Sequence, residues 1–145
     1  MPEAKPRSDL HVRDLMTTEV FTLEQNQSVT EVDALMEAKE VHHIPVVEEE
    51  DGLLVGLVSA RDVFANALLR AAGYGSRGAE RLKQDLRIKE VMSTEVRSID
   101  PGVSVVEAVK IMRESGIGCL PVVIHGKLIG MLTANDLLEL IAQGD

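Results

Sequence analysis

Two short motifs end in an aspartate that stands three residues after a hydroxyl side chain. They are Ser59-Ala-Arg-Asp62 and Thr133-Ala-Asn-Asp136, and each follows an apolar run. This spacing is typical of a helix N-terminus, where the hydroxyl accepts an amide hydrogen and the acid complements the helix dipole. The free amides of such a turn also suit an anion such as phosphate. The motifs therefore predict two helix starts, which are also candidate anion-binding positions.

Other side chains capable of chemistry are isolated. His42 and His43 are adjacent, so on a strand they point in opposite directions, and no third metal ligand is suitably spaced. The single Cys119 lies in an apolar run, which favours a packed, unreactive thiol. We find no nucleophile–base motif, phosphate loop or paired catalytic acids. We therefore expect no enzyme activity, no catalytic residues, no metal and no cofactor.

Both motifs belong to an internal duplication of the chain. A shift of 76 residues lays VRDLMTTEVFTL on IKEVMSTEVRSI and VHHIPVV on IGCLPVV. Beyond the next loop, a shift of 74 residues lays GLLVGLVSARDVF on GKLIGMLTANDLL. Because identities such as Met16/Met92 and Pro45/Pro121 recur in one register, chance is a poor explanation.

Each copy predicts the element order β-α-β-β-α. A β-rich run (20–23 and 96–99) precedes a Ser-x-x-Glu capping box and a helix with apolar residues at helical spacing. An apolar run that starts at proline, a turn and a second apolar run predict a hairpin, with proline at the first strand position. The helix residues expected in the core are Val29, Val32, Leu35 and Met36 in the first copy, and Val105, Ala108, Ile111 and Met112 in the second.

The predicted fold class is α+β. One copy is too small to bury its own sheet, so we expect the two copies to pack through their sheets. The predicted boundaries are a flexible tail at 1–8, the first repeat at 9–65, a helical connector at 66–87 and the second repeat at 88–143.

Composition excludes several classes of protein. The chain has 145 residues, 45% of them hydrophobic, so it can fold, and its net charge of −9 opposes binding to nucleic acids and anionic membranes. Two phenylalanines and one tyrosine give no platform for stacked bases. Without a long apolar run or a leader-like N-terminus, we expect a cytoplasmic protein.

The duplicated pattern resembles the cystathionine beta-synthase (CBS) domain, and the chain resembles a stand-alone pair of such domains. The resemblance lies in the Val-x-Thr/Ser run, the h-P-V-V segment and the G-h-h-[ST]-x-x-D end of each copy, over about residues 10–142. It implies a pseudo-twofold pair with two clefts for an adenine nucleotide (AMP, ADP or ATP) or S-adenosylmethionine. It also implies a regulatory role, homodimers and an unidentified regulated protein.

The resemblance also implies roles for individual residues. Asp62 and Asp136 would accept hydrogen bonds from ribose hydroxyls. The expected phosphate contacts are Ser59, Arg61, His42, His43, Thr133 and Asn135, and the expected adenine contacts are Val20, Thr22, Ile44, Val96, Ser98 and Leu120.

The two implied clefts are unequal. One would combine Asp136 and Thr133 with His43 and Arg61, whereas the other would combine Asp62, Ser59 and His42 with Cys119 and Asn135. In the second cleft Gly118 and Cys119 replace the basic residues of the family pattern, so we expect tighter phosphate binding at Asp136.

Two further expectations concern pH and the alternative function. Histidine contacts would make binding sensitive to pH at roughly 6–7. The alternative function is a dimerisation or interaction scaffold that binds no ligand and contacts a partner through helical faces around residues 64–72.

Overall fold

The chain combines helices with two small antiparallel sheets of two strands each, which confirms the α+β class. The computed structural model describes residues 9–39, 41–63 and 86–143. The predicted tail (1–8), most of the predicted connector (66–87) and residues 64–72 therefore lie outside the described residues. In chain order the elements are α1 (Val12–Leu15), α2 (Val29–Lys39), β1 (His43–Val47), β2 (Leu54–Ser59), α3 (Ile88–Val91), α4 (Val105–Ser115), β3 (Cys119–Ile124), β4 (Lys127–Thr133) and α5 (Ala134–Ala142).

The described chain divides into two compact units, of which one is a single stretch of the chain and the other combines two separate stretches. The first-repeat unit contains the described residues between 21 and 96, including α2, the β1–β2 hairpin and α3. The second-repeat unit combines residues 9–20 with residues 97–143, including α1, α4, the β3–β4 hairpin and α5. The first residues of each repeat, 9–20 and 88–96, which we call the lead-in segments, thus pack with the rest of the other repeat.

The two hairpins have the same register. β1 pairs with β2 from His43↔Ser59 onward, and β3 pairs with β4 from Cys119↔Thr133 onward, with a register shift near the turn in both. In the second hairpin the turn residues His125 and Gly126 have φ values of 52° and 81°. This geometry matches the twist of the flanking strands, so the predicted tight turn is confirmed.

Each proline lies inside its strand, so the predicted strand starts are wrong by two residues. β1 begins at His43 and β3 at Cys119. The Pro45 carbonyl accepts the Leu23 amide at 3.0 Å, on the side away from β2. Because N–H and C=O of one residue point to the same side of a strand, the missing proline hydrogen removes no bond of the β1–β2 ladder.

The β-rich runs predicted at 20–23 and 96–99 are wrong as strands. Only Leu23 and Ile99 form bridges, each parallel to the proline-containing strand of its hairpin. Leu23 donates to Pro45 and accepts from Val47, at 3.0 and 2.9 Å. The neighbours Phe21 and Thr22 are exposed, so little apolar burial is available to extend the pairing.

The predicted core helix positions are confirmed almost completely. All four in α4 are buried, and in α2 only Leu35 remains partly exposed. The Ser104 hydroxyl accepts the Glu107 amide at 3.1 Å and caps α4 as expected. Within the described ranges, no helix is long and apolar enough to cross a membrane.

Candidate functional site

Asp136 is fixed at the start of α5 by the motif that suggested it. Its amide donates to the Thr133 hydroxyl at 3.2 Å, and its Oδ2 accepts the Thr133 amide at 2.9 Å. The Thr133 hydroxyl also lies 3.1 Å from Oδ2. These reciprocal bonds form the predicted capping box, and they hold the half-buried carboxylate in one orientation.

Thr17 contacts the same carboxylate and was missed by sequence reasoning. Its hydroxyl donates to Asp136 Oδ1 at 3.0 Å. The Thr17 backbone pairs with Met131 of β4 through bonds of 2.8 and 2.9 Å. One available signal is that the shift of 76 residues pairs Thr17 with Ser93, so both copies carry a hydroxyl at this position.

The first-repeat unit repeats this arrangement around Asp62. Its amide donates to the Ser59 hydroxyl at 3.0 Å, as expected for a helix cap. Ser93 pairs with Leu57 of β2 through two backbone bonds of 2.9 Å, which is the relation of Thr17 to Met131. The two units therefore present their aspartates on the same local framework.

Both histidines lie beside this second aspartate. His43 pairs with Ser59 across the hairpin, and the His42 carbonyl accepts the Ala60 amide at 3.0 Å. Burial lowers the pKa of His43 below 6.5, and the neighbouring His42 lowers it further, whereas Asp62 opposes the shift. Protonation of His43 thus requires a more acidic solution than the ordinary histidine pKa of 6.5 indicates.

Cys119 is a packed thiol, as predicted. Its side chain is 3% exposed, and burial raises its pKa to about 11. At neutral pH such a thiol is almost entirely protonated and therefore a poor nucleophile. Among the described residues, no group of three histidine, cysteine or acidic side chains could hold a metal ion.

The remaining predicted contacts differ in exposure. Arg61 and Asn135 are exposed in the first turns of their helices. Ile44 and Leu120 are fully buried in the cores of their own units, so their side chains serve the fold, and an adenine contact from them stays a prediction. Of the other four, Thr22 is exposed, and Val20, Val96 and Ser98 are partly buried.

The structure brings His42, His43, Ser59 and Asp62 together in one unit, and Thr17, Thr133 and Asp136 in the other. The two predicted clefts each combine residues of both units. The grouping of His43 and Arg61 with Asp136 therefore stays a prediction, as does the grouping of Cys119 and Asn135 with Asp62.

Three known proteins show what this chain resembles. The CBS domain-containing protein YhcV of Bacillus subtilis is 36% identical over 126 residues, which cover 87% of this chain and 81% of YhcV. The crystal structure of CBSX2 in complex with AMP has a TM-score of 0.76 and 25% identity, and the match covers 92% of this chain and 97% of that one. The CBS domain pair of protein MJ0100, in complex with 5′-methylthioadenosine and S-adenosylmethionine, has a TM-score of 0.72 and 25% identity, covering 90% and 98% of the two chains.

Several other relatives are longer, and the chain spans 24% to 42% of their length. Several of these are named as homoserine O-acetyltransferases. The family model of the CBS domain matches the present chain twice, at residues 12–68 and 88–143. The chain therefore belongs to the CBS domain family and contains two copies of that domain.

Proposed function

We propose that this chain is a regulatory, non-catalytic module that binds an adenine nucleotide or S-adenosylmethionine, with its ribose on the aspartate carboxylates. The observation that carries the proposal is the capped, half-buried carboxylate of Asp136, together with the same motif at Asp62. A carboxylate is an acceptor without hydrogens of its own, and the hydroxyls of a ribose are donors. The complexes of CBSX2 with AMP and of MJ0100 with S-adenosylmethionine support the ligand class.

Preorganisation is the physical advantage of this position. The capping box already restricts the side-chain torsions of Asp136, so little further ordering is required when a ligand binds. A hydrogen bond to a charged acceptor is also stronger than one between neutral groups. The position can therefore contribute both affinity and orientation.

Regulation follows if ligand occupancy changes what the protein binds. A ligand shifts a conformational equilibrium only by its differential affinity for the two states. The readout that we propose is an unidentified partner protein, bound by a homodimer of this chain in the cytoplasm.

The test is isothermal titration calorimetry and thermal unfolding with AMP, ADP, ATP and S-adenosylmethionine separately. A ligand present at about 100 times its dissociation constant stabilises the fold by roughly 2.7 kcal/mol. For a chain of this size the melting temperature should rise by about 5–10 °C. We expect Asp136→Asn to weaken binding at least about tenfold, because a charge-assisted hydrogen bond becomes neutral.

Glu107→Gln is the matched control. Glu107 occupies the same third helix position in α4, and its amide is bound by the Ser104 hydroxyl, but no ligand role is predicted for it. It should leave affinity unchanged. If none of the four ligands binds the unaltered protein, the proposal fails, and the scaffold function becomes the better account.

A further inference from the structure

The carboxylate of Asp136 is almost saturated with hydrogen bonds. Oδ2 is engaged by the amide and the hydroxyl of Thr133, at 2.9 and 3.1 Å, and Oδ1 accepts from the Thr17 hydroxyl at 3.0 Å. A carboxylate offers about four lone-pair sites. Among the bonds that the described residues make, roughly one acceptor site therefore remains, on Oδ1, whereas the two hydroxyls of a ribose require two.

The three existing bonds differ in how easily they are exchanged. The two Thr133 bonds belong to the capping box, and losing them would disturb the first turn of α5. Thr17 is exposed, and its hydroxyl reaches Asp136 from a position 119 residues away in sequence. Rotation about its side-chain torsion would release this hydroxyl to water, while the backbone bonds to Met131 keep the residue in place.

We propose that the Thr17 hydroxyl is an internal competitor that occupies Asp136 Oδ1 in the free protein and is displaced by one ribose hydroxyl. The inference rests on the proposed function, since it assumes a ribose ligand at Asp136. It makes Thr17 a determinant of affinity and of discrimination between ribose and deoxyribose. One hydroxyl of the ligand uses the free acceptor site, and the other only replaces the bond that Thr17 already makes.

The test compares binding of AMP and 2′-deoxy-AMP, with S-adenosylmethionine and its 2′-deoxy analogue as a second pair. Thr17→Val keeps the shape of the side chain and removes the competing donor. We expect it to bind the ribose ligand about three- to tenfold more tightly than the unaltered protein does. Affinity for the deoxy ligand should stay within about twofold, because one hydroxyl needs no exchange.

Two further variants separate this role from a structural one. Thr17→Ser restores the hydroxyl and should restore the original affinities. Thr18→Val makes the same substitution at the neighbouring exposed threonine and should change neither ligand's binding. If Thr17 had only a structural role, Thr17→Val would instead weaken the binding of both ligands equally, and Thr17→Ser would not restore the original ratio of their affinities.

The unaltered protein provides a measurement that does not depend on the folding of any variant. We expect it to prefer ribose over 2′-deoxyribose by less than about threefold, because the second hydroxyl gains little net energy. A preference above about tenfold, or a Thr17→Val variant that binds the ribose ligand no better, overturns the inference while the proposed function stands. If neither ribose ligand binds, the proposed function and the inference fail together.

Discussion

His43 gives the first-repeat unit a response to pH. Burial and the nearby His42 lower its pKa below 6.5, more strongly than Asp62 raises it. Between the lowered value and 6.5, the unfolded chain therefore binds a proton that the folded chain does not. Stability contributed by neutral His43 is present at higher pH, and it is lost as the pH falls through this window.

We expect the melting temperature to decrease as the pH is lowered below 6.5, and His43→Asn to make this decrease shallower. The measurement is a series of thermal unfolding curves from pH 7.5 to 5.0. His125→Asn is the control, because it also removes an imidazole but at an exposed turn whose positive φ suits asparagine. Parallel profiles for the protein and its His43 variant would contradict this assignment. Any effect of His43 on ligand binding should likewise occur at a more acidic pH than the 6–7 expected from sequence.

At the scale of elements, a glycine in each hairpin permits the close approach of a lead-in segment. A Cβ at Gly130 would lie 2.9 Å from the Thr17 carbonyl and 3.0 Å from Met16 Sδ. A Cβ at Gly56 would meet Met92 and the Ser93 carbonyl in the same way. These neighbours include backbone atoms that are tied to β4 and β2, so they cannot simply rotate aside.

Gly130→Ala should therefore destabilise the protein by about 1–3 kcal/mol, in the range observed for overpacking. Urea unfolding measures this change. Gly118→Ala is the matched control, since no atom of the residues that the structure describes lies within 4 Å of its Cβ position, and it should be close to neutral. Equal stabilities of the two variants would show that the close approach relaxes without penalty.

Sequence alone predicts the elements whose pattern is local. The helical spacing of Val105 to Met112 and the His125-Gly126 turn each depend on neighbouring residues, and both are confirmed. The first residues of the strands are harder to predict. A strand can include Pro45 only where the backbone N–H of that position faces away from the paired strand. The Pro45 backbone faces Leu23, on the side away from β2, and no local sequence pattern reveals this pairing.

The site was predictable to the same extent. The Thr133-x-x-Asp136 spacing predicts its own hydrogen bonds, because the partners are three residues apart. The contact from Thr17 depends on tertiary packing, and sequence spacing contains no information about it. The recurrence of a hydroxyl at Ser93 was the one accessible signal.

For the whole molecule, the main feature that the duplicated sequence does not reveal is that each lead-in segment packs with the other repeat. Val12 is 0% exposed and packs in the core of the second-repeat unit, and Ile88 is 0% exposed in the core of the first-repeat unit. Because the two repeats are alike, each segment has two similar apolar surfaces available, and periodicity cannot choose between them. The contacts assign each segment to the repeat with which it is not contiguous in sequence.

This arrangement predicts which hairpin is destabilised by a core substitution in a lead-in segment. Val12→Ala removes two buried methyl groups and should cost about 2 kcal/mol. Amide hydrogen exchange should then accelerate in β3 and β4, about a hundred residues away in sequence, more than in β1 and β2. Ile88→Ala should produce the reverse pattern, with faster exchange in the β1–β2 hairpin.

Faster exchange in the hairpin of the contiguous repeat, for either variant, would mean that each repeat folds with its own lead-in segment. The reciprocal pattern would mean that the lead-in segments stabilise each other's repeats, so neither repeat is an independent folding unit.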